Sequence, residues 1–259
     1  MNSWYQKPPA QLSDYVRTVL VIDESSAAIT PALPLVTTGM TALFCKTKKE
    51  KDRQEILQLT LFGKSIPEDC WTTDDNTIIV AYFFRPFALG GLFNIPAVKL
   101  AQAPVDLHTW DAHKNNALRT QLIYAATIQA TTEILDHLLV QQLAENKKEC
   151  DIISYSTDRI MLDASVEVLS AIQKELKLNE RTFQRIFKKY VGVTPNQYRR
   201  ICQFQLSFTQ LRAQEFDKLT DVAYDNGFAD QSHFIRSFRE FTQLTPNDYL
   251  KFGLKTKKR

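Results

Sequence analysis

The sequence lacks the patterns that mark several common classes of protein. It has only seven glycines in 259 residues, which excludes a collagen-like chain, and its 44% hydrophobic content argues against broad disorder. Its longest purely apolar run, residues 78–84, is far shorter than the roughly 20 residues of a membrane-spanning helix. We therefore predict an ordered protein with no membrane partner and, at roughly 100 to 200 residues per domain, two domains.

Signals for export, disulfides and metals are absent as well. The first residues lack the basic start and apolar stretch of a secretory signal, so we predict a cytoplasmic protein. The four cysteines are widely spaced without a C-x-x-C pair, and His108, His113 and His137 form no H-x-H pair. We therefore predict no catalytic residues, no metal ion and no cofactor, and an enzyme is the least favoured class.

Positive charge is concentrated toward the C-terminus. Residues 1–159 contain 15 Lys and Arg against 18 Asp and Glu, whereas residues 160–259 contain 17 against 11. A basic module beside a mildly acidic one is typical of a phosphate-binding domain joined to a domain that does not bind DNA. Many solvated surfaces are also basic, so charge by itself does not decide the function.

The basic part contains an internal repeat with an offset of 51 positions. The matching residues are Phe183 and Phe234, Arg185 and Arg236, Phe187 and Phe238, Thr194-Pro195 and Thr245-Pro246, and Tyr198 and Tyr249. A repeat of this length indicates one supersecondary unit used twice. A plain helical bundle with basic faces would have no reason to repeat both aromatic residues and an arginine at one offset.

The first copy is predicted to be a helix, a tight turn and a second helix. The first helix is predicted from Ser165 as its cap and from apolar residues at helical spacing. These apolar residues are Val166, Leu169, Ile172 and Leu176. Asn179 is predicted to cap the second helix, whose buried face repeats at i, i+3, i+4 and i+7. That face consists of Phe183, Ile186, Phe187 and Tyr190.

The second copy is predicted to have the same arrangement. Its first helix contains Leu219, Val222 and Ala223, Gly227 suits a left-handed residue after that helix, and Asp230 caps the next one. The predicted buried face of that next helix consists of Phe234, Phe238 and Phe241. A Thr-Pro pair follows the second helix of each copy, with threonine as cap and proline at the first helical position. The first pair predicts a long helix that joins the two copies rigidly.

The face opposite the buried aromatic residues is polar and mostly cationic in both copies. Its residues are Arg181, Gln184, Arg185 and Lys188 in the first copy, and Gln231, Ser232, His233, Arg236 and Arg239 in the second. Long donors of this kind contact bases and phosphates in a major groove. These nine residues are our predicted DNA-binding residues, although Lys188 and Arg239 suit phosphates as well as bases, and His233 also suits capping or packing.

These residues resemble the DNA-binding domain of AraC/XylS-type transcription regulators over about residues 163–250. The most specific parts of the resemblance are residues 227–238 and 244–249. Lys177 and Gln243 depart from the family, which usually has glycine at both positions. The resemblance implies a tandem helix-turn-helix domain, double-stranded DNA and RNA polymerase as partners, and a β-rich, cupin-like N-terminal domain that binds a small-molecule effector or pairs subunits.

The N-terminal part is predicted to be rich in β-strands. Valine, isoleucine and phenylalanine are enriched in short segments separated by prolines and glycines, namely residues 15–22, 42–46, 56–63 and 77–84. The effector site is unknown. Arg85 is a weak candidate for holding an acidic effector, but a surface arginine that ends a strand is the favoured interpretation. The aromatic residues of this part are candidates either for lining a pocket or for packing in the core, and core packing is the default. They are Trp71, Tyr82, Phe84, Phe87 and Trp110.

A helical connector is predicted between the two parts. Residues 115–143 contain no proline or glycine, and an apolar stripe from Leu118 to Leu139 indicates one or two amphipathic helices. Because the sequence shows no partner for this stripe, we predict a homodimer formed through it. The polar run of residues 144–151 is predicted to be a linker. The predicted domains are therefore residues 1–112, 113–158 and 159–259.

Together these patterns predict an α+β protein with a β-rich cupin-like N-terminal domain, a helical connector and an all-α tandem helix-turn-helix C-terminal domain. We predict a sequence-specific DNA-binding transcription regulator, whose two recognition helices reach successive major-groove faces about one helical turn, ~34 Å, apart. The alternative is a ligand- or protein-binding module whose helical domain no longer binds DNA. The outward Arg181, Arg185 and Arg236 favour the regulator.

Overall fold

A computed structural model of the protein describes residues 2–24, 41–51, 53–64, 66–85, 87–110, 112–125 and 127–256. The chain divides into two compact units. The first unit comprises Met1–Ser154 and Lys189–Gly192, and the second comprises Tyr155–Lys188 and Val193–Arg259. The domain limits at residues 112 and 158 remain predictions.

Among the described residues of the first unit, six strands form one antiparallel sheet. They are β1 (Asn2–Gln6), β2 (Val16–Asp23), β3 (Ala42–Glu50), β4 (Arg53–Phe62), β5 (Thr77–Phe84) and β6 (Val105–Asp106). Their order across the sheet is β1-β2-β5-β3-β4-β6. The four predicted segments correspond to β2, β3, β4 and β5. We did not predict β1, whose side chains are largely exposed, or β6, which has only two residues.

Strand β5 pairs with β2 and β3 and is buried on both of its faces. Successive side chains of a strand point to opposite faces of its sheet. One face carries Val80, Tyr82 and Phe84, and the other carries Ile79, Ala81 and Phe83. Both sets belong to apolar clusters, so the continuous hydrophobic run in the sequence reflects a strand covered on its two sides.

The first unit also contains helices, which begin after β5 in the chain. They are α1 (Ala88–Leu92), α2 (Ala97–Gln102), α3 (Leu107–Trp110), α4 (Ala112–Ile123) and α5 (Ile128–Leu162), the last of which ends in the second unit. The antiparallel sheet followed by helices confirms the α+β fold class. The more specific likeness to a cupin remains a prediction.

Residues 144–151, which are predicted to be a linker, are helical within α5. Only Asn146 departs from helical backbone angles, with φ −117° and ψ 16°. Its side-chain Nδ2 donates to the carbonyl oxygen of Leu92 at 2.8 Å and to that of Gln142 at 3.1 Å. A polar run is equally typical of a solvated helix, which is why its composition did not distinguish the two structures.

The apolar stripe that led us to predict a homodimer has a partner within the chain. Leu118, Leu122, Leu135 and Leu139 are buried in the same cluster as the side chains of one sheet face. The stripe therefore covers the protein's own sheet rather than a second subunit. The reason for predicting a dimer through this stripe is removed.

The second unit consists of helices. After the end of α5 come α6 (Val168–Glu175), α7 (Glu180–Val191), α8 (Pro195–Ala213), α9 (Leu219–Asp225), α10 (Gln231–Thr242) and α11 (Pro246–Thr256). Helices α6 and α7 form the first predicted copy, α9 and α10 form the second, and α8 joins them. No helix among the described residues combines the length and apolar character needed to cross a membrane.

Candidate DNA-binding surface

Helix α7 is oriented by a cap at its start and by aromatic residues on its inner face. The backbone nitrogen of Thr182 donates to Asn179 Oδ1 at 2.8 Å, which confirms the predicted cap. Phe183 and Phe187 are fully buried, and their ring centroids lie 5.7 Å apart. Phe187 also packs against Tyr198 of α8 at 5.6 Å. Because the inner face is fixed in this way, the opposite face must point to solvent.

All four predicted DNA-binding residues of α7 are exposed. Arg181, Gln184, Arg185 and Lys188 line an open surface concavity of about 450 Å³. Glu180 and Thr194 line it too, and the sequence analysis did not include either residue in the site. The Gln184 Nε2 atom donates to Glu180 Oε1 at 2.9 Å. The i, i+4 spacing of these two residues could have indicated this pair.

Helix α10 repeats the inner face of α7. Asp230 Oδ1 accepts a hydrogen bond from the backbone nitrogen of His233 at 2.7 Å, which confirms the second predicted cap. Phe234 and Phe238 are fully buried, with ring centroids 5.9 Å apart. Phe241 differs from its prediction, because it is 39% exposed and stacks on Phe204 of α8 at 4.6 Å. Its position at the end of the helix lets one side of the ring reach solvent.

The outer face of α10 is only partly open. Ser232, Arg236 and Arg239 are exposed, whereas Gln231 and His233 are half-buried. The His233 ring packs edge-on against Phe228 with centroids 5.4 Å apart. This contact gives His233 the packing role that the sequence analysis kept open.

Helix α8 joins the two copies and begins with a capping box. The backbone nitrogen of Gln197 donates to Thr194 Oγ1 at 3.2 Å, and the backbone nitrogen of Thr194 donates to Gln197 Oε1 at 2.9 Å. Pro195 occupies the first helical position, as predicted. The helix continues for 19 residues without interruption, which confirms the predicted connection between the copies.

A buried arginine in α8 contacts the chain that precedes the first copy. Arg199 Nη1 donates to the carbonyl oxygen of Ala164 at 2.9 Å, and its Nη2 donates to Asn196 Oδ1 at 3.2 Å. Burial lowers the pKa of Arg199 from its ordinary value, although a guanidinium stays charged. One turn further along, Gln203 Nε2 donates to the carbonyl oxygen of Asn226 at 3.0 Å. The same helix therefore holds the entry of the first copy and the turn of the second.

Four turn residues of the repeat have a positive φ. Gly227 has φ 71° as predicted, and Gly192 has φ 88°. Lys177 and Gln243, the two departures from the family pattern, have φ 52° and 63°. Residues other than glycine are strained in this region, so Lys177 and Gln243 adopt these turns at an energetic cost.

The start of α6 differs from its prediction. Its first residue is Val168, its cap position is Glu167, and no side chain makes a capping hydrogen bond there. Ser165 is therefore not the cap, and Val166 is 67% exposed rather than buried. The predicted cap failed because Ala164 and Ser165 belong to the loop that contacts Arg199 and Gly227.

The weak effector candidate Arg85 is exposed at the end of β5. Its Nε donates to the carbonyl oxygen of Ser13 at 3.3 Å, and its backbone nitrogen donates to the carbonyl oxygen of Tyr15 at 2.8 Å. This environment agrees with a surface arginine that ends a strand. Of the aromatic residues, Tyr82 and Phe84 lie in the core, while the side chain of Trp110 lies outside the described residues.

The described residues contain no cluster of three His, Cys, Asp or Glu side chains suited to a metal ion. The four cysteines are free thiols. Burial raises the pKa of Cys45 and of Cys150 to about 12. Both thiols are therefore protonated at neutral pH and are poor nucleophiles.

Two copies of a capped, aromatic-cored helix pair on one joining helix define the class of tandem helix-turn-helix domains. The family described as "Helix-turn-helix domain" matches residues 172–251. An uncharacterized HTH-type transcriptional regulator of Haemophilus influenzae is 24% identical over 156 residues, which are 57% of this chain and 51% of that protein. The HTH-type transcriptional activator RhaS of Escherichia coli is 35% identical over 78 residues, which are 30% of this chain and 28% of RhaS.

Solved structures are also similar to this chain, at low TM-scores, and two of them serve as examples. An AraC-type transcriptional regulator from Chromobacterium violaceum has 21% identity and a TM-score of 0.33, over 40% of this chain and 90% of that one. ToxT from Vibrio cholerae, bound to (E)-4-(8-methylnaphthalen-1-yl)but-3-enoic acid, has 13% identity and a TM-score of 0.35. The match covers 96% of this chain and 97% of the ToxT chain. Similarity at this level adds nothing to the assignment of the domain.

The chain thus carries a C-terminal helix-turn-helix domain of the AraC type, and the predicted resemblance is confirmed. It spans about half the length of the curated relative from Haemophilus influenzae and 28% of RhaS.

Proposed function

We propose that the protein is a sequence-specific DNA-binding transcription regulator that reads successive major-groove faces with α7 and α10. The observation that carries this proposal is the exposure of Arg185 and Arg236 at equivalent positions of the two helices. An arginine can donate two hydrogen bonds to guanine O6 and N7, which is the commonest base-specific contact. Two such helices on one support let a single chain cover two half-sites about one helical turn apart.

The charges around α7 support the same proposal. Arg181, Arg185 and Lys188 share one concavity, and none of them takes part in an ion pair among the described residues. Unpaired cations on one helix face favour binding to a polyanion, because each phosphate contact releases a counterion. The curated relatives of the chain are HTH-type transcription regulators, which agrees with this use of the surface.

The remaining partners follow from the proposed function. We place its action in the cytoplasm, with RNA polymerase as a further partner, and assign no enzymatic activity to the protein. The first unit is the proposed site for a small-molecule effector. Homodimer formation remains part of the proposal, although the stripe from Leu118 to Leu139 no longer supports it.

Selection of DNA from a pool of random duplexes tests the proposed function. The purified full chain should enrich a motif with two half-sites about 10 base pairs apart. It should then bind the selected duplex about a thousandfold or more tightly than a scrambled duplex at the same salt concentration. Equal binding of both duplexes would contradict the proposal and favour a helical module that no longer reads DNA.

A further inference from the structure

Among the described residues that line the concavity on α7, Glu180 is the only acidic one. It is exposed and stands at the first position of the helix, beside Arg181 and one turn before Gln184. Among the described residues it forms no ion pair with the arginines of the same concavity. Apart from the hydrogen bond that it accepts from Gln184, its carboxylate is therefore open to a partner outside the chain.

A carboxylate in this position cannot strengthen contacts to the DNA backbone. Its oxygens accept hydrogen bonds, and phosphate oxygens only repel it. The groups that a major groove offers to an acceptor are the amino groups of cytosine and adenine. Adenine presents its N6 amino group next to the acceptor N7, whereas cytosine presents its N4 amino group alone. Cytosine is thus the base whose major-groove edge suits a carboxylate best.

The hydrogen bond between Gln184 and Glu180 prepares the carboxylate for this role. Gln184 Nε2 donates to Glu180 Oε1 at 2.9 Å, so one carboxylate oxygen is held and the other remains to accept a bond. Residues near the N-terminus of a recognition helix are the ones that contact base edges. Glu180 therefore combines the required chemistry with the required position.

We propose that Glu180 is a specificity-determining residue that selects cytosine at one position of the half-site bound by α7. The guanine paired with that cytosine presents O6 and N7 to an arginine of the same concavity, so both bases of one pair are read. This inference rests on the proposed function. Glu180 adds discrimination rather than affinity, because it excludes bases that present only acceptors.

Parallel selections with the wild-type protein and with Glu180→Gln test this inference. The wild-type motif should contain a cytosine in one half-site, preferred about fivefold or more over each other base. The glutamine variant should lose that preference and shift toward adenine, whose N6 and N7 match a side-chain amide. The α10 half-site should be unchanged in both motifs.

Glu215→Gln is the matched control, because Glu215 is exposed on the turn after α8 and its loss removes the same charge. This variant should keep the cytosine preference, which separates a base contact from a general change in charge. Retention of the cytosine by Glu180→Gln, or a wild-type motif without it, would overturn the inference and leave the proposed function intact. Failure of the wild-type protein to enrich any motif would instead contradict the proposed function itself.

Discussion

The two copies of the helix-turn-helix share an interior but differ on their surfaces. In both, a pair of phenylalanines four residues apart is fully buried and a side-chain oxygen caps the recognition helix. Outside, α7 exposes four polar side chains around a concavity, while α10 leaves Gln231 and His233 half-buried. The buried residues therefore preserve the unit, and the exposed residues are free to differ between the two proposed DNA half-sites.

The copies also differ in how they build their left-handed turns. The first has Lys177 at the turn between its helices and Gly192 after its recognition helix. The second reverses this order, with Gly227 at the first position and Gln243 at the second. Each copy therefore has one relaxed turn and one strained turn. The same backbone shape is reached with or without glycine, because tertiary packing overrides the local preference.

The largest effects should come from the shared interior. Phe187→Ala and Phe238→Ala should each lower the free energy of unfolding of the second unit by roughly 3 to 5 kcal/mol, because each leaves a cavity in its copy. The loss for Phe238→Ala should lie at the upper end of this range, since the Phe238 ring packs among Phe204, Phe208 and Tyr249. Urea titrations followed by far-UV circular dichroism measure the loss of helix.

Phe241→Ala is the control for these variants. Its ring is 39% exposed, so its loss leaves a smaller cavity and should cost clearly less. Tryptophan fluorescence reports on the first unit, because Trp4, Trp71 and Trp110 all belong to it, and it should be unchanged by all three substitutions. Equal stability of the Phe187→Ala and Phe241→Ala proteins would contradict the assignment of a common interior.

A smaller and opposite effect is expected at the strained turns. Lys177→Gly and Gln243→Gly should each raise the free energy of unfolding by about 1 kcal/mol, because glycine adopts positive φ without steric cost. Both side chains are exposed, so little packing is lost. Lys174→Gly, within α6, is the control and should destabilise by a similar amount. A destabilising Lys177→Gly substitution would show that the turn is not strained.

The smallest effect separates phosphate contacts from base contacts on α7. Lys188 lies further along the helix than Arg185, so we expect Lys188→Ala to weaken binding to specific and scrambled duplexes alike. The slope of log affinity against log salt should decrease by about one unit. Affinity titrations at several salt concentrations measure this slope. A selective loss of specific binding would instead assign Lys188 to a base.

Much of the second unit could be predicted because its signals are local. Caps, helical spacing and the repeat depend on residues within one or two turns, and Asn179, Asp230 and Thr194 are placed as predicted. The failures involve partners distant in sequence. Ser165 is not a cap because its loop meets α8 and Gly227, and the stripe from Leu118 to Leu139 lies on a sheet formed much earlier in the chain.

The candidate site was predicted only in part. The exposed face of α7 follows from helical spacing alone, whereas the half-burial of His233 depends on Phe228, which belongs to the turn before α10. Glu180 was missed because an acidic residue was not expected on a surface proposed to bind DNA. Glu180 belongs to the candidate site because it lines the concavity, whereas its negative charge does not indicate a DNA-binding residue.

A footprint on the selected duplex tests most directly whether α7 and α10 each read one half-site. The wild-type protein should protect two major-groove segments about one helical turn apart. Arg185→Ala should lose protection of one segment and Arg236→Ala should lose protection of the other. Each substitution should weaken the free energy of binding by about 1 to 3 kcal/mol and leave the melting temperature of the protein unchanged. Unchanged protection and affinity in the double variant would contradict the account.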